Sequence, residues 1–414
     1  MVGAIAVIWI AFHMLSAWRL GSGPFDWDAG AFLTPRNLWN LSVQFSSIAV
    51  MATGMVLVIV TRNIDLSVGS VLGFVGMLMA FTQVRLLPEW LELGHWSIWI
   101  ISVLVGIVAG AIIGGLHGFI IAFLGVPAFI TTLGGLLIWR GAAWWVTSGQ
   151  TIAPMDPTYR LIGGGPSGAL GANLTWAVGL LACGLIAGAL FMARRQRLRF
   201  KFTPRPVWAE VTLAVIGCAI VIGVVLVVNN YPWPVNIARN YAAQNGIEWP
   251  EEGSLFIPHG LAYPVLIALS VAVAMTFIAR RTRFGRYVFA IGGNPEAANL
   301  AGINTKWVTM KVFMLMGALI GISSSIATAR LNAATNNTGT LDELYTIAAA
   351  VIGGTSLGGG VGTIAGALLG ALLMQSLQSG MVLMGLETPI QQIVVGVVLV
   401  LAVMIDTYYR RRTA

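Results

Sequence analysis

The chain has 414 residues, of which 57% are hydrophobic and only 9% are charged, and its net charge is +8. A soluble domain of this length could not bury so much apolar surface, so we expect most of the chain to lie in lipid. The positive charge is then explained by membrane topology rather than by binding to DNA or RNA, and we expect no nucleic acid among its partners.

Apolar stretches that could form membrane helices recur along the whole chain. A hydrocarbon layer of about 30 Å is crossed by ~20 helical residues. Stretches near that length lie at 4–18, 47–62, 66–81, 98–124, 128–146, 172–192, 207–228, 260–278, 307–329, 344–358, 362–384 and 389–406. Because several are short, the sequence predicts an all-α, polytopic protein with about 10–12 transmembrane helices, in one membrane-spanning domain over residues 1–414.

The charged residues separate by loop, which predicts the orientation of the chain. Lys and Arg within ~15–20 residues of a helix end are held on the cytoplasmic side, and they concentrate at 194–206, at 279–306 and in the C-terminal tail. Acidic residues occupy the alternate loops: Asp26, Asp28, Glu89, Glu92, Asp156, Glu248, Glu251, Glu252, Asp342 and Glu343. Both termini are therefore predicted to be cytoplasmic, and the loop at 229–259 is predicted to be periplasmic.

Residues 62–70, RNIDLSVGS, interrupt two short apolar runs. If this turn lies within the membrane, an ionised Asp65 would cost ~2.5–3.5 kcal/mol unless it were paired, for example with Arg62, or lined a wet path. If the turn is a cytoplasmic hairpin, Arg62 follows the charge rule and nothing more is implied. The sequence leaves both interpretations open.

Glycine is abundant, with 50 residues, and much of it lies in apolar stretches such as 106–118 and 353–370. Small residues let helix backbones approach closely in lipid, which predicts a tightly packed bundle. The cluster at Gly358–Gly362 differs, because consecutive glycines break a helix and need other groups to satisfy the freed backbone. Like the break at 62–70, it follows a predicted span that runs from outside to inside and precedes the span that returns, which indicates a parallel internal repeat.

Residues 279–306 form a basic, glycine-bearing polar segment between apolar stretches. Asn294 is a good N-cap, Pro295 suits the first helical position and Gly302 can end the turn, so we predict a helix of about two turns here. Its small apolar face, formed by Ala297, Leu300 and Ala301, could sit in a groove on a soluble partner. The alternative is an ordinary surface loop with one helical turn.

The chain lacks the sequence patterns of the common catalytic sites. Its three lysines, Lys201, Lys306 and Lys311, do not follow a glycine, which rules out the phosphate-binding P-loop. The four histidines stand far apart and outside any metal-ligand spacing. We therefore expect no enzyme activity, no cofactor and no metal site in this chain.

Four long runs, taken together and in order, resemble one protein family. They are GMVLVIVTRNIDLSVGSVLGF, VPAFITTLGGLLIWRGAAW, FGRYVFAIGGNPEAANLAGIN and AAAVIGGTSLGGGVGTIAGALLGALLMQSLQSGM, within a similarity that extends from about Phe32 to Asp406. This is similar to the membrane permeases of bacterial monosaccharide ABC importers. The resemblance implies a multi-pass protein of the inner membrane that imports a sugar, with D-xylose the expected cargo. It also implies two permease subunits, two cytoplasmic ATPase subunits and a periplasmic sugar-binding protein.

The resemblance also assigns roles to particular residues. Segment 279–306 would be the cytoplasmic coupling segment, and its expected ATPase-contact residues are Gly285, Arg286, Gly292, Gly293, Asn294, Glu296, Ala297, Ala298 and Gly302. The residues expected near the translocation path are Asn63, Asp65, Ser67, Gly69, Gly358 and Gly359. The loop at 229–259 is longer than the usual pattern, so it is either an enlarged docking surface for the binding protein or a tolerated insertion.

An ion-coupled secondary sugar transporter is the alternative function. Such carriers place acidic or histidine side chains within the membrane to bind the coupling ion. The candidates here are Asp65, Glu210 and His117.

Overall fold

The computed structural model describes residues 1–23, 26–250 and 253–413, and for residues 402 and 405–413 it describes the backbone alone. The regular structure within these residues is helical. The helices are α1 (Val2–Arg19), α2 (Pro35–Val60), α3 (Val68–Phe81), α4 (Trp96–Ala122), α5 (Ala128–Thr147), α6 (Pro157–Arg160), α7 (Gly171–Arg199), α8 (Val207–Asn229), α9 (Val235–Gln244), α10 (Tyr263–Arg281), α11 (Arg283–Gly293), α12 (Pro295–Leu300), α13 (Thr305–Leu331), α14 (Asp342–Ile352), α15 (Ile364–Leu383) and α16 (Thr388–Thr413).

The predicted all-α, polytopic architecture is confirmed. In the described part of the chain, nine helical segments are long and apolar enough to cross a membrane: α1, α2, α3 with its continuation to Glu89, α4, α7, α8, α10, α13 and α15. The 20-residue α5 is not in this set, and the apolar stretch Thr388–Leu401 of α16 is shorter than these nine. Which terminus faces the cytoplasm stays a prediction.

Two of the predicted spans differ from their helices in length. The only helix that the stretch at 344–358 overlaps is α14, whose 11 residues make about 16 Å of helix, roughly half of what a crossing needs. The helix ends at Ile352, and Gly354, with a φ of +87°, then turns the chain away from the helical path. In contrast, α2 begins at Pro35 rather than near 47, because its first turns are polar and hide it from a search for apolar runs.

The chain divides into two compact units. The first consists of Met1–Thr34, Asn40–Gly164 and Pro264–Ala414, and the second of Pro35–Trp39 and Gly165–Tyr263. The first unit contains the main hydrophobic core, in which most of α2 beyond residue 47 is fully enclosed together with parts of α3, α13 and α14.

Glycines bring α4 and α13 into backbone contact in the first unit. A Cβ atom added at Gly110 would collide with the carbonyl oxygen of Gly317, and one added at Gly317 would collide with that of Gly110. Gly114 is equally close to the backbone of Phe313. The close packing predicted from the glycines at 106–118 is therefore present, in the manner typical of membrane helices.

In the second unit, α7 packs against α8, and the loop at 229–259 has its own folded structure. It contains α9 and an isolated bridge between Pro232 and Pro258. The rings of Tyr231 and His259 stack in parallel with centroids 4.3 Å apart, and Trp39 packs on both. Glu251 and Glu252, two of its predicted acidic residues, lie outside the described residues.

Candidate translocation and coupling site

The predicted helix in the polar segment forms as the sequence indicates. The side chain of Thr282 accepts a hydrogen bond from the Gly285 amide and begins α11. Asn294 Oδ1 then accepts from the Ala297 amide at 2.9 Å and begins α12, with Pro295 at its first position. The chain leaves the short helix through Gly302, whose φ is +81°. Each of these caps satisfies backbone groups that a helix end leaves unpaired.

The two faces of α12 have different surroundings. Ala297, Leu300 and Ala301 are exposed, and the side chain of Leu300 is 90% exposed. Ala298 faces the other way, is only 5% exposed and belongs to the hydrophobic core. The helix is therefore anchored on one side and presents a small apolar surface on the other.

The nine residues predicted to contact an ATPase divide in the same way. Those with exposed side chains or backbone are Arg286, Gly293, Asn294, Glu296, Ala297 and Gly302. Those that are buried are Gly285, Gly292 and Ala298. The buried three hold the segment in place through close packing and could influence a partner only through its position.

Arg62 ties this segment to the end of α2. Its Nε donates to the carbonyl oxygen of Gly292 at 2.9 Å, and its Nη2 donates to that of Gly293 at 2.6 Å. These two carbonyls immediately precede the cap of α12, so the guanidinium holds the start of the short helix. Arg62 itself has a φ of +62°, a conformation that non-glycine residues rarely adopt.

The glycine cluster after α14 completes the same junction. The Gly360 amide donates to the Val60 carbonyl at 3.0 Å. A Cβ atom at Gly292 would collide with Val60, and one at Gly359 would collide with the Arg62 side chain. The junction therefore joins three segments that the sequence marked separately: the break at 62–70, the glycines at 358–362 and the segment at 279–306. We call Val60, Arg62, Gly292, Gly359 and Gly360 the coupling junction.

Asp65 is buried a short distance along the same turn. It is 3% exposed and accepts hydrogen bonds from the amide and the hydroxyl of Ser67 at 2.9 and 2.6 Å. The Ser67 hydroxyl lies 3.3 Å from His117 Nδ1, and Trp139 Nε1 donates to His117 Nε2 at 3.0 Å. The pairing between Arg62 and Asp65 that their spacing suggested does not occur, because Arg62 turns to the Gly292 and Gly293 carbonyls.

The remaining predicted path residues lie beside these. Asn63 bonds locally, through Nδ2, to the Thr61 carbonyl at 3.0 Å. Gly69 packs so closely on Gly339 that a Cβ atom would collide with the Gly339 carbonyl oxygen. The Gly358 amide donates a hydrogen bond to the Ser356 hydroxyl at 3.2 Å.

A polar cavity of about 280 Å³ lies elsewhere in the first unit, and sequence reasoning missed it. It is lined by side chains from α2, the end of α13, the loop that follows, the start of α14 and the middle of α15. They are Gln44, Ser47, Ile48, Ala327, Arg330, Leu331, Thr335, Asn337, Thr338, Gly339, Thr340, Asp342, Gln375 and Gln378. The six predicted path residues are not among these lining residues, although Gly69 packs directly behind Gly339.

Two amides were the available signal for this cavity: Gln375 lies inside the predicted span at 362–384, and Gln44 lies just before the one at 47–62. Gln375 Nε2 donates to Gln44 Oε1 at 3.0 Å, across 331 residues of sequence. An amide within the membrane must find a polar partner, because lipid offers none. A search for acids and histidines alone passes over such residues.

In the part of the chain that the structure describes, nine helices are long and apolar enough to cross a membrane, and the first unit holds a polar cavity and the anchored helix α12; these are the features of a membrane transport protein. The chain belongs to the family described as "Branched-chain amino acid transport system / permease component", whose model matches residues 37–403. It is thus a permease subunit, a multi-pass protein of the inner membrane and not itself an enzyme.

Several curated relatives cover most of its length. The chain is 35% identical over 390 residues to the xylose transport system permease protein XylH of Escherichia coli K12, covering 94% of this chain and 89% of the relative. It is 34% identical to XylH of Haemophilus influenzae, covering 92% of each chain. It is 31% identical to the ribose import permease protein RbsC of Escherichia coli K12, covering 91% of this chain and 87% of the relative. No solved structure matches the chain significantly.

Proposed function

We propose that this chain is the permease of an ATP-binding-cassette importer that carries a monosaccharide, D-xylose, across the inner membrane. The proposal draws on relatives whose names specify xylose and ribose transport. It also fits a chain without a P-loop, which must obtain ATP-derived energy from another subunit. A separate ATPase and a periplasmic sugar-binding protein would complete the importer.

The observation that carries the proposal is helix α12, which is anchored through its buried Ala298 side and has its Leu300 side exposed. An ATPase subunit would receive the Leu300 face in a groove, in the mode by which short amphipathic helices bind soluble domains. The buried face at Ala298 and the Arg62 hydrogen bonds would transmit a displacement of that helix to the coupling junction.

We propose that α2 links the coupling junction to the cavity. The part of this helix from Gln44, at the cavity, to Val60, at the junction, rises about 24 Å at 1.5 Å per residue. A shift at Val60 would therefore reach Gln44 through one continuous, enclosed helix. Asn63, Asp65, Ser67, Gly69, Gly358 and Gly359 would lie at the cytoplasmic end of the same path.

The proposed assembly contains two permease copies, and the simplest form has two identical ones. Co-purification of two differently tagged copies of this chain with the ATPase tests this composition. Recovery of a different permease chain in place of the second copy would contradict it. The folded loop at 229–259 is proposed to face the binding protein.

A double substitution on the exposed side of α12 tests the coupling role. Glu296→Lys with Ala297→Trp reverses a charge and adds bulk next to Leu300, while the buried Ala298 is unchanged. We expect the variant to reach the membrane but to lose sugar uptake and stimulation of ATP hydrolysis. A matched control, Gln196→Lys with Leu198→Trp, changes exposed residues at the end of α7 and should retain both activities. Normal ATPase stimulation by the α12 variant would contradict the assignment.

The alternative of ion-coupled transport has less support from the three candidate residues. Glu210 forms an ion pair with Arg194 at 2.8 Å, near the ends of α7 and α8. Asp65 is already bonded by Ser67, and His117 by Trp139. Sugar uptake that survives ATP depletion but stops when the proton gradient collapses would favour this alternative.

A further inference from the structure

We propose that the polar cavity is a binding site for the transported sugar, with Arg330 and Asp342 as the pair that recognises its hydroxyl groups. The identity of the ligand as a sugar rests on the proposed function, whereas the site itself follows from the arrangement of the side chains. Arg330 lies in the last turn of α13, Asp342 begins α14, and both line the cavity.

These two charged side chains attract each other but form no direct bond. Arg330 is exposed, Asp342 is half-buried, and neither side chain has a hydrogen bond or an ion pair among the residues that the structure describes. A guanidinium can only donate hydrogen bonds and a carboxylate can only accept them. A hydroxyl group does both, so a polyhydroxyl ligand between the two can satisfy each at the same time.

The wall behind the pair fixes the loop between α13 and α14 and places a second arginine near the acidic residues. Arg140 donates to the backbone carbonyls of Asn336 and Thr338 at 3.0 and 3.1 Å, which fixes the loop between α13 and α14. Arg140 also lies close enough to Glu343 and Asp342 to attract both. Two arginine and two acidic side chains therefore surround this side of the cavity.

The other polar groups of the cavity extend the same chemistry. Gln378 and Asn337 line it with amide groups that, in the described part of the chain, have no side-chain hydrogen bond. Gln44 and Gln375 are already bonded to each other, and Ser47 lies 2.7 Å from the Ser323 hydroxyl. The free amides can contact further hydroxyls, while the paired ones keep the floor of the cavity rigid.

Two features indicate a small ligand that is held weakly. The volume of about 280 Å³ is just below the range of ~300–1,000 Å³ typical of small-molecule pockets, which suits a single sugar ring of about ten non-hydrogen atoms. The described lining residues include no aromatic side chain on which a sugar ring could stack. Weak binding is what a transfer site needs, since the sugar must leave it in each cycle.

A zwitterionic amino acid is the other small molecule that an arginine and an aspartate could hold. A branched-chain amino acid would also need an apolar pocket for its side chain, whereas this cavity offers only Ile48, Ala327 and Leu331 among its many polar residues. The walls therefore favour the sugar, and the amino acid becomes an outcome that the experiment distinguishes.

The test uses the complete importer in liposomes, with ATPase and binding protein, and measures uptake of D-xylose and L-leucine. We expect Arg330→Gln and Asp342→Asn each to lower xylose uptake roughly tenfold or more, because each removes a hydrogen bond between a charged group and the ligand. Arg160→Gln, at an exposed arginine outside the cavity, is the matched control and should transport normally.

A second measurement reports on binding without relying on transport. In an importer whose permease carries Cys183→Ser and Cys218→Ser, a cysteine at Asn337 is labelled with a thiol reagent at the exposed edge of the cavity. Millimolar D-xylose should slow the labelling several-fold, and sucrose, which is too large for the cavity, should not. Arg330→Gln in the same background should remove the protection.

The outcomes separate the site from the function. If the wild-type importer carries xylose and both cavity variants transport like it, without xylose protection at position 337, the proposed site is wrong and the proposed function stands. If leucine and not xylose is carried and Arg330→Gln abolishes its uptake, the site binds an amino acid and both proposals about sugar are wrong. Loss of xylose uptake and of protection in the cavity variants alone supports the site.

Discussion

Arg62 Nε donates a hydrogen bond to the carbonyl oxygen of Gly292, 2.9 Å away and 230 residues later in the chain. With the second bond to Gly293, it joins the end of α2 to the residues that precede α12. A partner that moves α12 would thus pull on α2 through a charged side chain.

Replacement of Arg62 should weaken coupling without unfolding the protein. Hydrogen bonds from a charged group are worth ~1.5–3 kcal/mol when buried, and less here, because Arg62 is exposed. We expect Arg62→Ala to assemble with the ATPase, hydrolyse ATP and import sugar roughly three- to tenfold more slowly. Uptake and ATP hydrolysis measured on the same liposomes give the ratio of sugar carried to ATP consumed.

Arg62→Lys is the informative companion variant. A lysine keeps the charge but cannot reach two carbonyls with a planar fork, so it should recover only part of the coupling. Full recovery by lysine would show that charge alone matters, and an unchanged ratio in Arg62→Ala would mean that the link to Gly292 does not transmit the signal.

Gly292 and Gly293 provide a matched pair for the same junction. A Cβ atom at Gly292 would collide with the Val60 carbonyl oxygen, whereas one at Gly293 meets open space. We expect Gly292→Ala to displace α11 from α2 and to lower sugar uptake strongly, while Gly293→Ala, one residue away in the same helix, stays close to wild type. Equal effects of the two substitutions on uptake would show that helix propensity, and not the close approach to Val60, determines the result.

The features predicted correctly from sequence are those set by neighbouring residues. Asn294, Pro295 and Gly302 define the short helix because a cap, a first-turn proline and a glycine each act on the backbone within a few residues. The close packing at the glycines of α4 was also predicted, because their spacing places them on one helix face.

The features that were missed depend on distant partners. Arg62 donates to the backbone carbonyls of Gly292 and Gly293. Every residue has a backbone carbonyl, so the residue types in the sequence do not mark these two as its partners. Asp65, three residues away, was the partner that local spacing suggested. The contact between Gln44 and Gln375 spans 331 residues, so no local pattern contains it. The cavity can be recognised only from the fold, which brings α2, α13, α14 and α15 together.

Close packing of α4 on α13 predicts that alanine substitutions at two glycines change the stability of the protein differently. Gly110→Ala would force a methyl group against the Gly317 backbone, and overpacking of this kind costs ~1–3 kcal/mol. Gly134→Ala, in α5, adds the same methyl group in open space and should gain helix propensity of up to ~1 kcal/mol.

Thermal unfolding of the detergent-solubilised protein measures both effects. We expect the midpoint temperature of Gly110→Ala to fall by several degrees and that of Gly134→Ala to stay the same or rise, in line with ~2–4 °C per kcal/mol for larger domains. A midpoint for Gly110→Ala equal to that of wild type would mean that the two helices can separate at little cost.

His259 makes the closure of the loop at 229–259 dependent on pH. Its ring stacks on Tyr231, and its Nδ1 lies 3.0 Å from the Tyr231 carbonyl oxygen. Burial lowers the pKa of His259 below its usual 6.5, and the hydrogen bond to Tyr231 opposes this only in part. The open loop therefore binds a proton more readily than the closed one. The stabilisation should be complete above pH ~6.5, and it should be lost as the pH falls through the lowered pKa.

Hydrogen exchange across residues 231–259, corrected for the intrinsic effect of pH and followed from pH 8 to pH 5, measures this opening. We expect protection to decrease in the acidic range in the wild-type protein. His259→Phe keeps a ring that can stack on Tyr231 but cannot be protonated, so its protection should be independent of pH. His95→Gln, at a histidine outside the stacked cluster, should behave like wild type. If acid weakens protection equally in His259→Phe, a group other than His259 controls the loop.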